Sequence, residues 1–221
     1  MIPYQPFSQE NMRKIIAEEN GNPVATMKER IVNESIRLFL RKGFKGTSIQ
    51  HITDVLGITK GAFYWHFISK EELLETIIDK YNEEFLQKLY EYINSLSADF
   101  VTIFREYHKY INEYARSNGE FCVLFVHLAA EMAGSNSPAE RRIKEVLSKY
   151  LAFIESLLTI GKNEGFFPEE YDIVMNSHII IAFHSGILLQ WYINRKDIDG
   201  TAMARTYRDA ILYGMAKNPR K

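Results

Sequence analysis

The sequence contains very little cysteine. There is one among its 221 residues, Cys122, so neither a disulfide framework nor a cysteine-based zinc cluster can form within the chain. Six prolines and twelve glycines exclude a collagen-like or proline-rich chain. The cysteine usage is typical of a reducing compartment, and we expect the protein in the cytoplasm.

Long apolar segments are also missing. The most apolar run, residues 178–193, is shorter than the roughly 20 residues that a transmembrane helix needs. It also contains two histidines, a serine and a glutamine. The first ten residues have neither the basic nor the apolar region of a secretory signal. We therefore expect no membrane partner.

Charge is balanced overall but unevenly distributed. The net charge is −1. Residues 24–70 carry eight basic and three acidic side chains, which gives this segment +5 and leaves −6 for the remainder. A basic segment attached to an acidic remainder suggests a nucleic-acid contact confined to one region.

Apolar residues recur at helical spacing, and no stretch alternates as a strand does. Thr26 and Glu29 form a capping-box sequence, and Ser69 begins another. The pattern predicts an all-α protein with an N-terminal extension (residues 1–25), a three-helix domain (residues 26–70) and a larger helical domain (residues 71–221). Its helices are expected over residues 26–43, 48–56, 59–67, 69–94, 98–117, 120–132, 138–163, 171–194 and 200–216.

The two short helices at residues 48–56 and 59–67 have helix-turn-helix spacing, with Gly57 at the turn. Their expected apolar core consists of Ile49, Ile52, Val55, Ile58, Phe63 and Phe67. The outer face of the second helix then carries Lys60, Gly61, Ala62, Tyr64, Trp65 and His66. Donors for phosphates and base edges, with small residues for close approach, suit the major groove of DNA.

The run GITKGAFYWHFISKEELL and the preceding RIVNESIRLFLRKGFKGTSIQHITDVL resemble the N-terminal domain of the TetR family of one-component transcriptional repressors. The resemblance covers residues 24–70. It implies phosphate contacts from Thr47 and Ser48, with Gln50 as a further contact. Base edges would meet residues of the second helix, namely Thr59, Lys60, Gly61 and Ala62. Further backbone contacts are implied for Tyr64, Trp65, His66 and Lys70.

The resemblance also implies that residues 71–221 bind a small-molecule effector and form a homodimer. Residues 171–194 are apolar on nearly every face, which predicts one face packed within the protomer and another against a partner. The expected interface contains His184, Ile187, Trp191, Tyr207 and Ile211. A central core helix in a monomer is the alternative.

The larger domain has many aromatic residues, most of which are expected in its core. Those predicted to line an effector pocket, with nearby polar groups, are Phe104, Tyr107, His108, Tyr114, Phe125, His127, Phe153 and His178. The sequence shows no basic cluster here, so an apolar or aromatic effector is expected.

Other classes of protein leave no recognisable pattern. No nucleophile, P-loop or dinucleotide motif is present, and the His127–Glu131 pair lacks the surrounding HExxH-type pattern of a metal site. We expect no metal, no cofactor and no enzymatic activity. We interpret the protein as a ligand-responsive transcriptional regulator that binds a palindromic DNA operator as a dimer. Repression is the favoured mode of regulation. The alternative is an all-α carrier or enzyme for hydrophobic ligands, without a DNA-binding role.

Overall fold

The computed structural model describes residues 25–215, and within them every regular element is a helix. Residues 1–24 of the predicted extension and the end of the predicted last helix lie outside this range. The helices are α1 (Met27–Lys42), α2 (Ile49–Leu56), α3 (Lys60–His66), α4 (Lys70–Tyr81), α5 (Lys88–Asn94), α6 (Phe100–Met132), α7 (Pro138–Asn163), α8 (Ile173–Ile193) and α9 (Gly200–Met215). The all-α prediction is confirmed.

Side-chain caps define where the helices begin. The Thr26 hydroxyl accepts from the Glu29 N–H at 3.2 Å, and a Glu29 carboxylate oxygen accepts from the Thr26 N–H at 2.7 Å, which completes the predicted capping box. At α4 the box is shifted: the Ser69 hydroxyl accepts from the Glu72 N–H, but Glu72 accepts from the N–H of Ile68. The other observed helix ends lie within two residues of the predicted ones.

Two interior irregularities shape the larger domain. A π-helical segment, Asn82–Gln87, joins α4 to α5 in one continuous rod. The predicted break at residues 118–119 is instead a kink inside α6, where Asn118 has non-helical φ/ψ of −126° and 31°. Helices α6, α7 and α8 pack on one another, and α9 lies against α6 and α8.

The three-helix domain has a sealed core, which is continuous with the apolar core of the larger domain. Ile31, Phe39, Ile52 and Phe63 are completely buried, and Phe67 is 1% exposed. The prediction for Val55 was wrong: its side chain is 57% exposed, because it lies on the outer side of α2. Helix α1 packs against α4 and α6, so the small domain is docked on the large one.

Helix α8 is the one helix among residues 25–215 that is long and apolar enough to cross a membrane. A single such helix is weak evidence for a membrane span, because apolar helices of other proteins meet the same criteria. Of its residues, Ser177 and Ile180 are fully buried. Large apolar side chains remain exposed along it at Val174, Met175, Ile179, Phe183 and Ile193.

Candidate DNA-binding surface and effector cavity

Helices α2 and α3 are joined by a short turn that is fixed by backbone hydrogen bonds. Gly57 ends α2 in the left-handed region (φ 65°, ψ 34°), where a glycine is favoured. Its N–H donates to the Asp54 carbonyl, and the Ile58 N–H donates to the Thr53 carbonyl. The Thr59 hydroxyl then accepts from the Ala62 N–H at 3.1 Å and starts α3. This local geometry is a helix-turn-helix.

The outer face of α3 is exposed although much of it is aromatic. Trp65 is 84% exposed and Tyr64 is 51% exposed, while Phe63, between them and the core, is completely buried. A Cβ added at Gly61 would meet only the Thr59 hydroxyl, at 3.7 Å, so packing within the protein does not require glycine there. Large exposed rings beside an unobstructed glycine are what a surface for a large partner needs.

Most of the predicted DNA contacts are exposed. The exposed residues are Ser48 and Gln50 at the start of α2, and Thr59, Lys60, Gly61, Tyr64 and Trp65 at α3. Ala62 and His66, also on α3, are half-buried. The hydroxyls of Ser48 and Thr59 are engaged as helix caps, and the Gln50 amide donates to Asp54 at 2.6 Å.

Two predicted phosphate contacts have partners inside the protein. Thr47 is 1% exposed and its hydroxyl donates to the Gly43 carbonyl at 2.8 Å, so its side chain cannot reach a phosphate in this conformation. The Thr47 side chain closes the loop before α2 instead, and a phosphate contact at this position stays a prediction. The Lys70 ammonium donates to the carbonyls of Phe44 and Thr47 at 2.8 and 2.7 Å. A phosphate contact of Lys70 stays a prediction.

The larger domain contains a partly open cavity of about 600 Å³. Its walls come from every helix of the domain except α5: Tyr81 and Phe85 on the α4 side, Phe125 on α6, Tyr150 on α7, Trp191 on α8 and Tyr207 on α9 are examples. A volume of this size within apolar and aromatic walls is typical of a small-molecule site.

A polar cluster adjoins this cavity. The hydroxyl oxygens of Tyr107 and Tyr150 lie 2.7 Å apart, and His184 Nδ1 lies 3.1 Å from the first and 3.2 Å from the second. Burial lowers the pKa of His184 to about 3 and holds the pKa of His108 well below its usual range, so both rings are neutral near pH 7. Within residues 25–215 the Nε2 atoms of both rings are buried without a hydrogen-bond partner.

The predicted pocket was largely wrong in its members. Of the eight residues, His108 and Phe125 line the cavity. The core, rather than the cavity, holds Phe104, Tyr107, Tyr114 and Phe153, which are at most 5% exposed. His178 is exposed on α8, and His127 is partly exposed on α6, with Nε2 3.6 Å from Glu131. Helical spacing predicts which aromatic rings point into the domain, but not which of them border the cavity.

The cavity instead takes in residues predicted for the dimer interface. His184, Ile187, Trp191 and Tyr207 line it, and Ile211 packs against the core. The correction has a physical cause, since both kinds of site require an apolar face on the same two helices. The Trp191 ring is tightly placed: a Cβ added at Gly119 or Gly200 would lie 2.8 or 2.5 Å from it.

A basic cleft beside the cavity was missed altogether. It is lined by α6 and α9 and shares Asn112, Arg116 and Thr201 with the cavity. Its basic side chains are Arg105, Lys109, Arg116, Arg205 and Arg208, opposed by Glu106 and Glu113. The spacing of the three on α6 was a signal available in the sequence; the other two come from α9, roughly ninety positions later.

Within residues 25–215 the structure supports neither a metal site nor a reactive thiol. These residues contain no group of three or more His, Cys, Asp or Glu side chains placed to hold a metal ion. Burial raises the pKa of the Cys122 thiol to about 12, which keeps it protonated and unreactive at neutral pH.

Comparison with known proteins identifies the two domains separately. Residues 31–77 match the family of bacterial regulatory proteins named tetR, and residues 81–214 match the C-terminal region of YsiA-like proteins. The second match alone covers more than half of the chain. The protein belongs to the TetR family. Proteins of this family bind DNA and small-molecule effectors, and no enzymatic activity is indicated.

Individual relatives agree with this assignment. The chain is 57% identical over 54 residues to the uncharacterized regulator YerO of Bacillus subtilis, a match that covers 24% of this chain and 19% of YerO. It is 25% identical over 193 residues to the repressor BepR of Brucella suis, covering 85% and 88% of the two chains. The chain is therefore a helix-turn-helix transcriptional regulator, and the alternative of a carrier without a DNA-binding role is set aside.

Solved structures share the fold at lower identity. The MbdR regulator of Azoarcus sp. CIB superposes with a TM-score of 0.79 at 20% identity, covering 86% of this chain and 99% of that one. FadR of Bacillus subtilis, solved in complex with stearoyl-CoA, gives 0.70 at 18% identity, covering 85% and 98%.

Proposed function

We propose that the protein is a homodimeric repressor that acts in the cytoplasm, binds a palindromic operator through α3 and leaves it when an amphipathic anion fills the cavity. The observation that carries this proposal is the combination of two surfaces. An exposed recognition helix belongs to a domain that is docked on a second domain containing a cavity of about 600 Å³. Because the two domains are in contact, a ligand that fills the cavity has a means to reposition the recognition helix.

The operator arm rests on the exposed face of α3. Lys60, at the start of the helix, is the cation placed to donate to a base edge, with Gly61 allowing close approach. No arginine lies on α3, so the bidentate pairing of arginine with guanine is not available there. We infer that specificity depends on Lys60 and on the shape of the DNA.

The dimer arm rests on the exposed side of α8. Met175, Ile179 and Phe183 follow one another at four-residue spacing and are 55%, 42% and 53% exposed. A Cβ added at Gly186, close to the same stripe, would meet nothing within 4 Å. A continuous apolar stripe on a soluble regulator is expected to be covered by a second copy. The partner surface of α8 is thereby separate from its cavity surface.

The effector arm rests on the contact between cavity and cleft. An apolar chain suits the cavity, while an anionic group suits the cleft, since no ion pair within residues 25–215 involves Arg105, Arg116 or Arg205. The expectation of an apolar or aromatic effector is therefore refined to an amphipathic anion. A fatty acyl-CoA has this chemistry, and FadR of Bacillus subtilis, which shares the fold, was solved with stearoyl-CoA.

Ligand binding can be followed through an intrinsic fluorophore. The chain has two tryptophans, and Trp65→Phe leaves Trp191, in the cavity wall, as the one that reports. We expect stearoyl-CoA to change its emission at lower concentration than stearate, and free CoA to bind weakly. The same order should hold for release of a DNA duplex recovered by selection from random sequences.

Arginine variants separate the two parts of the site. Arg116→Gln should weaken stearoyl-CoA binding more than stearate binding, because stearate brings a single carboxylate to the cleft and CoA brings several phosphate charges. Arg195→Gln is the matched control, because the Arg195 guanidinium stacks on Tyr192 outside the cleft. Binding of neither stearoyl-CoA nor stearate would refute the proposed effector class, and equal affinities for both would remove the cleft from the site.

A further inference from the structure

The loop at residues 43–47 is held from two sides by side chains of the larger domain's helices. On one side, the Glu131 carboxylate accepts from the N–H groups of Phe44 and Lys45, each at 2.9 Å. On the other, the Lys70 ammonium donates to the carbonyls of Phe44 and Thr47. Because α2 begins directly after this loop, both contacts act on the start of the helix-turn-helix.

The position of Glu131 is poor for its own helix. It lies in the last turn of α6, where the helix dipole disfavours a carboxylate. The neighbouring loop accommodates it closely: Gly43 has a φ of 73°, and a Cβ added there would lie 3.3 Å from a Glu131 oxygen. The carboxylate accepts two hydrogen bonds from the loop, at shorter distances than the 3.6 Å to His127 Nε2 on α6, and it forms a direct polar link between the domains.

Both helices that hold the loop also form walls of the cavity. On α6, Phe125 and Ala129 line the cavity within the two turns before Glu131. On the other side, Phe85 in the π-helical segment lines it, and α4 continues from there back to Lys70. Tyr81 and Phe125 stack face to face, with ring centroids 3.9 Å apart, where the two helices meet.

The end of α6 has a place at which to pivot. The kink at Asn118 separates residues 119–132 from the first part of the helix, and the cavity-lining Trp191 presses on the adjacent Gly119. A ligand that displaces Trp191 or Phe125 would shift this end segment relative to α4. The contacts of Glu131 and of Lys70 with the loop would then move relative to each other.

We propose that Glu131 is the positioning residue through which α6 transmits occupancy of the cavity to the helix-turn-helix. The Glu131 carboxylate holds the N–H side of the loop while Lys70 holds the carbonyl side, and relative movement of α6 and α4 reorients α2 and α3. This mechanism rests on the proposed function for its ligand, but the link itself is present in the protein without a ligand.

The test uses two variants, one that removes the charge of Glu131 and one that keeps it. Glu131→Gln removes the charge and one acceptor; Glu131→Asp keeps the charge but is one methylene too short to hold both N–H groups. The measured quantity is the coupling factor, the ratio of the dissociation constants for the selected duplex with and without saturating stearoyl-CoA. A factor of about 5–150 is typical. We expect both variants to reduce the coupling factor at least fivefold, or to unity if the wild-type factor is below five.

Glu164→Gln is the matched control, because Glu164 accepts from the Phe100 N–H at 2.9 Å within the larger domain. It should keep the coupling factor within about twofold of the wild type. Direct effects of charge on DNA affinity cancel in the ratio. A wild-type coupling factor in both Glu131 variants would overturn the proposal, and a loss in Glu131→Gln alone would replace it with a charge effect.

Amide hydrogen exchange of Phe44 and Lys45 separates this proposal from the proposed function. If stearoyl-CoA does not bind, the amphipathic effector is refuted, and Ala204→Phe or Thr201→Phe serves to fill the cavity from α9. In a folded variant with a filled cavity, both amides should exchange at least threefold faster than in the wild type. Glu131→Gln should abolish that difference. Unchanged exchange with the cavity filled would refute the link through Glu131.

Discussion

Aromatic residues are used in opposite ways at the two ends of the molecule. In the three-helix domain they are divided between a sealed core, with Phe39 and Phe63 completely buried, and an open surface, with Trp65 84% exposed. In the larger domain, rings such as Phe125 and Trp191 surround an empty space of about 600 Å³. A sealed core holds the recognition helix in one orientation, whereas a hollow one can change shape with its contents.

The largest effect is expected at the surface by which the hollow domain assembles. Phe183→Glu places a charge in the apolar stripe on α8 and should give monomers. Operator affinity should fall by about 10²–10⁴-fold, because a monomer loses the avidity of two linked recognition helices. Sedimentation gives the oligomeric state, and titration of the selected duplex gives the affinity.

Tyr90→Glu is the control for that change. Tyr90 is on α5 and its side chain is 53% exposed, which matches Phe183. It should leave both the dimer and the operator affinity unchanged. A wild-type protein that sediments as a monomer at micromolar concentration would contradict the assembly proposal.

The contrast between the two cores can be measured as stability. Phe63→Ala should lower the free energy of unfolding by about 3–5 kcal/mol, since it opens a void in a sealed core. Phe125→Ala should cost at least about 1 kcal/mol less, because one side of that ring already borders a cavity. Urea unfolding at a fixed protomer concentration checks both values, and equal costs would mean that the cavity does not soften its walls.

The small domain could be predicted from the sequence because its determinants are local. The capping residues Thr26 and Thr59 and the turn at Gly57 each act within four positions of the chain. The prediction failed at Val55, where the choice between inner and outer side depends on the angle at which α1 meets α2. Which exposed residues of α3 touch DNA stays a prediction.

The cavity could not be predicted because its walls come together over long separations. Periodicity places Phe104 and Phe125 on inward faces alike, yet Phe104 is completely buried and Phe125 borders empty space. What distinguishes them is the packing of α7, α8 and α9 around α6. The contact between Glu131 and the loop before α2 spans 86 and 87 positions, and for the same reason the sequence suggested no more than the His127–Glu131 pair.

A smaller effect is expected on the open surface of the small domain. Lys60→Ala should weaken binding to the selected duplex by about 1–3 kcal/mol while changing random-sequence binding much less, if Lys60 donates to a base edge. Tyr64→Phe should weaken both duplexes alike, as a phosphate contact would. Lys149→Ala, exposed on α7, is the charge-matched control. Equal losses on both duplexes for Lys60→Ala would assign it to a phosphate.

The smallest effect concerns the acid sensitivity of the hollow domain. Burial lowers the pKa of His184 to about 3, whereas an unfolded histidine titrates near 6.5. Between these values the unfolded chain binds a proton that the folded one does not, so stability falls as the pH falls. From pH 7 to pH 5 we expect a loss of up to about 2 kcal/mol from this residue.

Replacing the histidine should remove this pH dependence. His184→Gln should unfold in urea with a free energy that changes less between pH 7 and pH 5 than in the wild type, whatever its value at pH 7. If His184→Gln keeps the full slope, the acid sensitivity arises elsewhere, and His108, whose pKa burial also lowers, becomes the residue to replace.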